Sequence, residues 1–405
     1  MLSVESFDLA NNPNLFPEQL KYVEPWQVKR QFFNTSWWFY GSKEKFNKAD
    51  KTNLIAIQTG AYYPSIGKSN QEIAALSRSR HQSQGFGSTG SRGEEVEYLE
   101  FIKGDPLTDK SSLFEGIDTS WNRVKGGKPI GLLLTKIATE FDFKNPSASI
   151  PDLVKAYTLM QTLEEKHWTS LKSEEIKKII GACSGLYLEA VAQNQEATPG
   201  STIKLKIEAI NRSSIPMELI QITAFPEQKT IPQNKPLNNN KVENISIETQ
   251  VPQTIDYTQP YWLDEKGTIG MYSVNDQKKI GIPDIIRQEK IVFLLLINGI
   301  EIPFERTIVY KYNDDVKGEV YNYLDIVPEV TTSFLDKVLI FKDLKTKTIG
   351  VKIKSGKDNT KGDLQLELPK NWLVSPKSIP FNLEKKGIEQ IVYFEVTPPT
   401  KSDEA

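Results

Sequence analysis

The sequence predicts a mixed α/β chain: an α/β first segment, a small helical region, then two antiparallel β-sandwiches. Three observations predict it. To about Lys125 the chain is dense in aromatics and small polar turns and mixes strand and helix signals. Apolar residues recur every three to four residues from Pro129 to about Gln195, and alternate every second residue after Gly200. The expected divisions are 1–125, 126–198, 199–312 and 322–398.

In the first segment, Asn53-Leu54-Ile55-Ala56-Ile57-Gln58 is a short apolar run closed by Thr59-Gly60, as a strand would be. Ser69 and Glu72 then stand three apart, so each can satisfy the other's exposed amide as a capping box. The spacing predicts a helix from there through about Gln84, stopped by the glycines of Gly85-Phe86-Gly87-Ser88-Thr89-Gly90-Ser91-Arg92-Gly93.

The helical region shows three stripes. Ile130, Leu133, Leu134, Ile137 and Phe141 form one, and Leu153, Ala156, Tyr157, Met160 and Leu163 a second, opened by Ser149-Ile150-Pro151-Asp152. The third is expected to start at Ser173-Glu174-Glu175 and to carry Ile176, Ile179, Ile180, Cys183, Leu186, Tyr187 and Ala190.

Beyond Ala197-Thr198-Pro199-Gly200, the run Thr202 to Ala209 alternates as a half-buried strand does. Two apolar runs, Lys290 to Ile297 and Ile300 to Tyr310, flank Asn298-Gly299, a dipeptide suited to the left-handed conformations of a tight hairpin. The polar stretch Lys311 to Glu319 reads as a connection. Thr348 to Lys354, Asp363 to Leu368 and Gln390 to Thr397 read as strands of the smaller sandwich.

Composition excludes several functions. Fifty Lys and Arg against 52 Asp and Glu leave a net charge of -2, so no global basic field exists to hold a nucleic acid or an anionic membrane. One cysteine, Cys183, rules out an internal disulfide framework. The run Ile291 to Ile297 is too short to span a bilayer, and Met1-Leu2-Ser3-Val4-Glu5 lacks the features of a signal peptide, so as written the chain reads as soluble and untargeted. The only histidines, His81 and His167, stand 86 positions apart, and no second Cys accompanies Cys183. A catalytic zinc takes three protein ligands at short spacings, so no zinc site made by this chain alone is expected.

The candidate site residues are few. His81 lies between Arg78 and Gln84 at helical spacing, which would place the three near one face able to orient a substrate oxygen; a structural hydrogen-bonding role is the other reading. Glu94, Glu95, Glu97 and Glu100 cluster after the glycine-rich loop, as acid/base candidates or as a solvated face. That loop lacks the Gly-Lys-Ser/Thr placement of a phosphate cradle. Cys183 sits in an apolar stripe, and His167 beside Trp168 in a connection. Trp26, Phe32, Phe33, Trp37, Trp38, Phe39 and Tyr40 could stack on sugar rings or form core, and the run Ile255 to Trp262 poses the same choice.

Several long blocks point further. These are Phe16-Pro17-Glu18-Gln19-Leu20-Lys21-Tyr22, Pro25-Trp26, Asn34-Thr35-Ser36-Trp37-Trp38, Gly67-Lys68-Ser69, the stretch Ser77 to Gly87, Arg92-Gly93-Glu94, Gly116 to Arg123 and Asp256 to Leu263. Together they resemble the LmbE-like, or PIG-L, deacetylase family, and more narrowly its large multidomain versions from Bacteroidetes-type bacteria. The resemblance implies that residues 1–125 are the C-terminal remnant of a Rossmann-like α/β catalytic domain and that the β-modules are Ig-like. It implies zinc-dependent N-deacetylation of N-acetylglucosamine-type glycans by the full-length family, and a periplasmic or secreted location.

The family's zinc and base come from an Ala-His-Pro-Asp-Asp motif and a later histidine segment, both of which would precede Met1. The chain is therefore expected to hold no cofactor, to be inactive alone, and to have an N-acetylated glycan and an upstream catalytic segment or polypeptide as partners. A non-catalytic glycan-binding or scaffold protein is the alternative. His81, Ser83 and Gln84 map onto a His-x-Ser-Gln pattern, with Arg78 beside it, as accessory residues rather than zinc ligands. Tyr63 departs from the family, where Asn is expected. Asp8-Leu9-Ala10 and the ending Lys401-Ser402-Asp403-Glu404-Ala405 suggest a longer usual chain. A half sheet would expose an apolar edge, so residues before Lys125 are expected to be less stable than either sandwich.

Overall fold

The computed structural model describes residues 2–400, so Lys401 to Ala405 lie outside the described residues. The fold is mixed and its sheets are mainly antiparallel. The chain divides into two compact units, the second beginning at Ser120.

The first unit is built on a three-stranded antiparallel sheet, with Val96–Gly104 between Arg30–Thr35 and Leu54–Gln58. The capping box forms as the spacing predicts: the Ser69 hydroxyl accepts from the Glu72 N–H at 3.3 Å, and the Glu72 carboxylate accepts from the Ser69 N–H at 3.0 Å. The helix it opens spans Asn70–Arg78 and stops there, six residues short of the expectation. A separate 3-10 turn, Gln82–Gln84, follows and ends at Gly85, whose φ of 67° suits glycine.

The second unit opens with helices Lys128–Thr139, Ile150–Gln161 and Lys166–Cys183. The third starts seven residues before Ser173. Glu165 caps it, its carboxylate accepting from the N–H groups of His167 at 3.0 Å and Trp168 at 2.6 Å. Nor does this helix run on to Ala190. Gly185 takes a φ of 57°, and Tyr187–Ala192 becomes a strand with Leu188, Ala190 and Ala192 in the core.

That strand sits in a five-stranded sheet, in the order Val242–Gln250, Thr202–Ile210, Tyr187–Ala192, Val309–Asp314, Gly318–Tyr323. A four-stranded sheet orders Lys229–Pro236, Met217–Phe225, Lys290–Ile297 and Ile300–Thr307. Both sheets and the helices feed one core, in which Ile130, Ile180, Ile207, Leu219, Ile222 and Phe293 are fully buried. The expected hairpin closes on Asn298 and Gly299 at φ 49° and 81°.

The stretch from Lys311 to Glu319 is a correction. It is the turn and flanks of a hairpin pairing Val309–Asp314 with Gly318–Tyr323. The Asp314 carboxylate holds the turn by accepting from the N–H groups of Val316 and Lys317.

The last module pairs Lys347–Ser355 with both Val330–Phe334 and Glu389–Thr397, and adds the pair Thr360–Leu364 and Ile379–Leu383. Its core gathers Ile349, Val351, Ile353, Leu383, Val392, Phe394 and Val396. The strand expected over Asp363 to Leu368 loses its pairing after Leu364.

Candidate functional site

Arg78 is the last residue of its helix, so Arg78, His81 and Gln84 do not share a helical face. The structure groups the first two around an aromatic ring instead. The Arg78 guanidinium lies 5.0 Å over the Phe86 ring, and the His81 imidazole tilts against the same ring at 6.2 Å. Gln84 joins only through its backbone, its N–H donating to the His81 carbonyl at 3.2 Å. All three side chains are exposed.

Beside this group lies a shallow pocket of about 250 Å³ lined by residues including Glu72, Ser79, Ser88 and Arg92. Arg92 is an anchor that sequence reasoning did not single out: its Nε donates to the Glu72 carboxylate at 2.8 Å. The Ser69 N–H first, with Arg92 adding its charge, holds the Glu72 carboxyl below its usual range. Gly90 closes the wall, since a Cβ there would meet the Glu72 Cα at 2.8 Å. The arrangement can orient an oxygen-bearing group, but it presents no nucleophile beside a base.

The glutamates after the glycine-rich loop do not converge. Glu97 and Glu100 stand three apart on one strand and so point to opposite faces, while Glu95 is used through its backbone, opposite Gln58 and Thr59. Burial pushes the Cys183 thiol up, away from the thiolate a nucleophile needs. His167 packs edge-on to Trp168 at 5.0 Å, and Arg123 covers the Trp168 ring at 4.0 Å. The aromatics of the first unit divide: Phe46 is buried, whereas Trp26, Trp38 and Phe39 are 66%, 70% and 60% exposed. In the second unit, the Tyr261 hydroxyl donates to the Ile282 carbonyl at 3.2 Å, and Thr258 is tied to Ile326 in both directions.

A second polar cluster, absent from the sequence reading, lies on the five-stranded sheet. Glu189 is 8% exposed and accepts from Lys311 Nζ at 2.6 Å. Burial pushes its carboxyl up, but hydrogen bonds from Lys311, Tyr187 and Tyr321 outweigh this and leave it below the usual range. Tyr321 also donates to Glu319, which pushes its phenol up. The sequence carried no signal for this cluster, because Lys311 opens the stretch that reads as a polar connection and Tyr321 lies just past its end, between the two expected sandwiches.

The zinc implied by the family resemblance finds no ligand set here. Among the described residues no three His, Cys, Asp or Glu side chains come together to hold a metal ion, and His81 and His167 belong to different units. No helix among them is long and apolar enough to cross a membrane.

Comparison with protein-family models finds no match, and neither does comparison with curated proteins. Among solved structures, the chain is similar to Pseudomonas fluorescens alkylpurine DNA glycosylase AlkC bound to DNA containing an abasic site analog. That likeness has 9% identity and a TM-score of 0.17, covering 43% of this chain and 50% of the other. It is also similar to red sea bream transglutaminase, at 11% identity and a TM-score of 0.20 over 57% of this chain and 29% of the other. The chain thus spans half the length of the first and less of the second, and likenesses this slight assign neither a fold family nor an activity.

Proposed function

We propose that the chain is the supporting part of a PIG-L-like, zinc-dependent N-deacetylase of N-acetylglucosamine-type glycans, working with an upstream segment that carries the Ala-His-Pro-Asp-Asp motif. On this reading residues 1–125 are the remnant of a Rossmann-like domain, two Ig-like sandwiches follow the helices, and the assembled enzyme is periplasmic or secreted. His81 and Arg78 around Phe86, with Gln84, would then border the assembled site.

The observation that carries the reading is the poverty of the first unit's core. Its buried apolar side chains among the described residues are Phe7, Phe46, Leu54, Ile55 and Ala75, while Phe16, Trp26, Trp38, Phe39, Tyr62 and Phe114 stand exposed. A domain of this length ordinarily buries far more. Such a surface is what removal of a covering half would leave. The family blocks concentrated between Phe16 and Arg123 support the same reading.

Among the described residues no ligand set for a metal comes together, and polarising an amide carbonyl while acidifying a water is the chemistry a bound zinc would supply from the upstream segment. The test is co-expression with the polypeptide encoded upstream of Met1, followed by zinc analysis and an N-acetylglucosamine deacetylation assay. Zinc and activity should appear only in the combined preparation. Deacetylation by this chain alone after metal depletion, or a combined preparation with neither zinc nor activity, would overturn the proposal. In the latter case, the glycan-binding or scaffold reading of the β-modules takes its place.

A further inference from the structure

One face of the five-stranded sheet stays open. Its inner face carries Leu188, Ala190, Leu205 and Ile207 into the core, and the registers of the strands fix what lies on the other. Directly opposed residues share a face, so Tyr323, Val309, Val191, Lys206 and Ser246 form one row across all five strands. At about 4.8 Å per strand the row is about 19 Å long.

One end of the row is a trough. Val191 is its half-buried floor, and the exposed Lys204, Lys206, Ser246 and Glu248 are among the residues that enclose about 500 Å³. Lys204 lies 3.6 Å from Glu248, whereas the Lys206 ammonium and the Ser246 hydroxyl have no side-chain partner among the described residues. The other end is aromatic. Tyr321 and Tyr323, two apart on the edge strand, are 44% and 48% exposed and share this face. Neither ring is loose. Lys311 lies 5.5 Å over Tyr321, whose hydroxyl donates to Glu319. Arg287 lies 4.6 Å over Tyr323 and is itself fixed by donating to the Leu324 carbonyl and the Asp325 carboxylate.

The chemistry of the face selects its occupant. Its lysines are met by Glu189, Glu208, Glu248 and Glu319, so it holds no basic field for a polyanion. A protein partner ordinarily meets an apolar centre depleted of charge, but here the centre holds the 2.6 Å pair of Lys311 with Glu189. Braced tyrosine rings beside free ammonium, hydroxyl and carboxylate groups instead suit a neutral chain that offers both apolar ring faces and hydroxyls.

We propose that the outer face of this sheet binds a neutral oligosaccharide laid across the strands, with sugar rings on Tyr321 and Tyr323 and sugar hydroxyls held in the trough by Lys206 and Ser246. Only the identity of the sugar, N-acetylglucosamine, rests on the deacetylase reading. The test is isothermal titration calorimetry of the full chain with two probes, a tetramer of N-acetylglucosamine and cellotetraose, each to about 5 mM.

At least one tetramer should bind saturably. Tyr323→Ala removes a stacking ring and Ser246→Arg fills the trough, so each should weaken binding by at least about tenfold. Tyr393→Ala, at a 57% exposed tyrosine of the last module, should change nothing. All three positions are exposed, and far-ultraviolet circular dichroism verifies the fold of each variant. Binding of cellotetraose alone would sustain the site while removing the sugar that the deacetylase reading names. Failure of both tetramers to bind, or binding indifferent to both Tyr323→Ala and Ser246→Arg, would overturn the proposal whatever the zinc and deacetylation assays give.

Discussion

Replacing Lys311 with methionine should destabilise the second unit, and the structure gives the size of the effect. The substitution removes a 2.6 Å charge-assisted hydrogen bond to a carboxylate that is 8% exposed, and keeps the apolar stem. Such a bond contributes about 1.5–3 kcal/mol, and stripping the partner from a fully buried charge costs about 3–5 kcal/mol. Two features lower the figure: hydrogen bonds from Tyr187 and Tyr321 stay with Glu189, and the Lys311 side chain is 25% exposed and partly screened. The expected loss is about 2 kcal/mol, or about 5 °C in melting temperature for a unit of this size. Differential scanning calorimetry reads it directly.

The pH dependence fixes the cause. A carboxyl held below its usual value of 4.5 in the folded state supplies stability that is present above that pH and lost as pH falls through the folded value. The gap between wild type and Lys311→Met should therefore be largest near pH 7 and shrink toward pH 3. Combining it with Glu189→Gln should recover about half the loss, because no buried charge is then left alone. An unchanged melting temperature at pH 7, or a gap that persists undiminished in acid, would refute the argument.

Glu289 should behave in the opposite sense. It is 4% exposed, one carboxylate oxygen has no hydrogen-bond partner, and burial raises its carboxyl above 4.5. The folded state is thus favoured below that pH and loses stability as pH rises through the folded value. Glu289→Gln should melt higher than wild type at pH 8 and equal it near pH 4, which a pH series of thermal melts checks. Hydrogen exchange followed by mass spectrometry should show Arg30–Thr35 and Leu54–Gln58 exchanging well before Lys290–Ile297 and Thr202–Ile210, because the latter flank a core of fully buried Ile, Leu and Phe and the former do not. Equal protection would contradict the proposal of an incomplete first unit.

Where local chemistry decides an element, the sequence was legible. The Ser69 and Glu72 capping box, the Asn298-Gly299 hairpin and the alternation of Thr202–Ile210 each follow from neighbours a few residues apart, and each forms. Reading failed where a local pattern fits two periods. Tyr187 and Ala190 continue the stripe of the preceding helix, but Leu188, Ala190 and Ala192 equally suit a strand, and the left-handed turn at Gly185 decides the matter. The hairpin from Val309 to Tyr323 was hidden because its turn and second strand are polar, and that strand, Gly318–Tyr323, lies at the sheet's edge where burial contributes little. The candidate site was less legible still: Arg78 and His81 were found, but their grouping depends on the helix ending early and on Phe86 folding back between them.

Alternation along a chain reports the conformation of a strand and says nothing of its partner. Thr202–Ile210 alternates and has neighbours on both sides. Residues 364–368 and 338–341 alternate just as cleanly, half-buried then exposed, yet beyond Leu364 neither run is in a ladder. Both runs line the cleft beside Trp372, and the alternation of exposure along them persists although their backbone N–H groups beyond Leu364 and from 338 to 341 join no ladder, so exposure by itself does not report pairing.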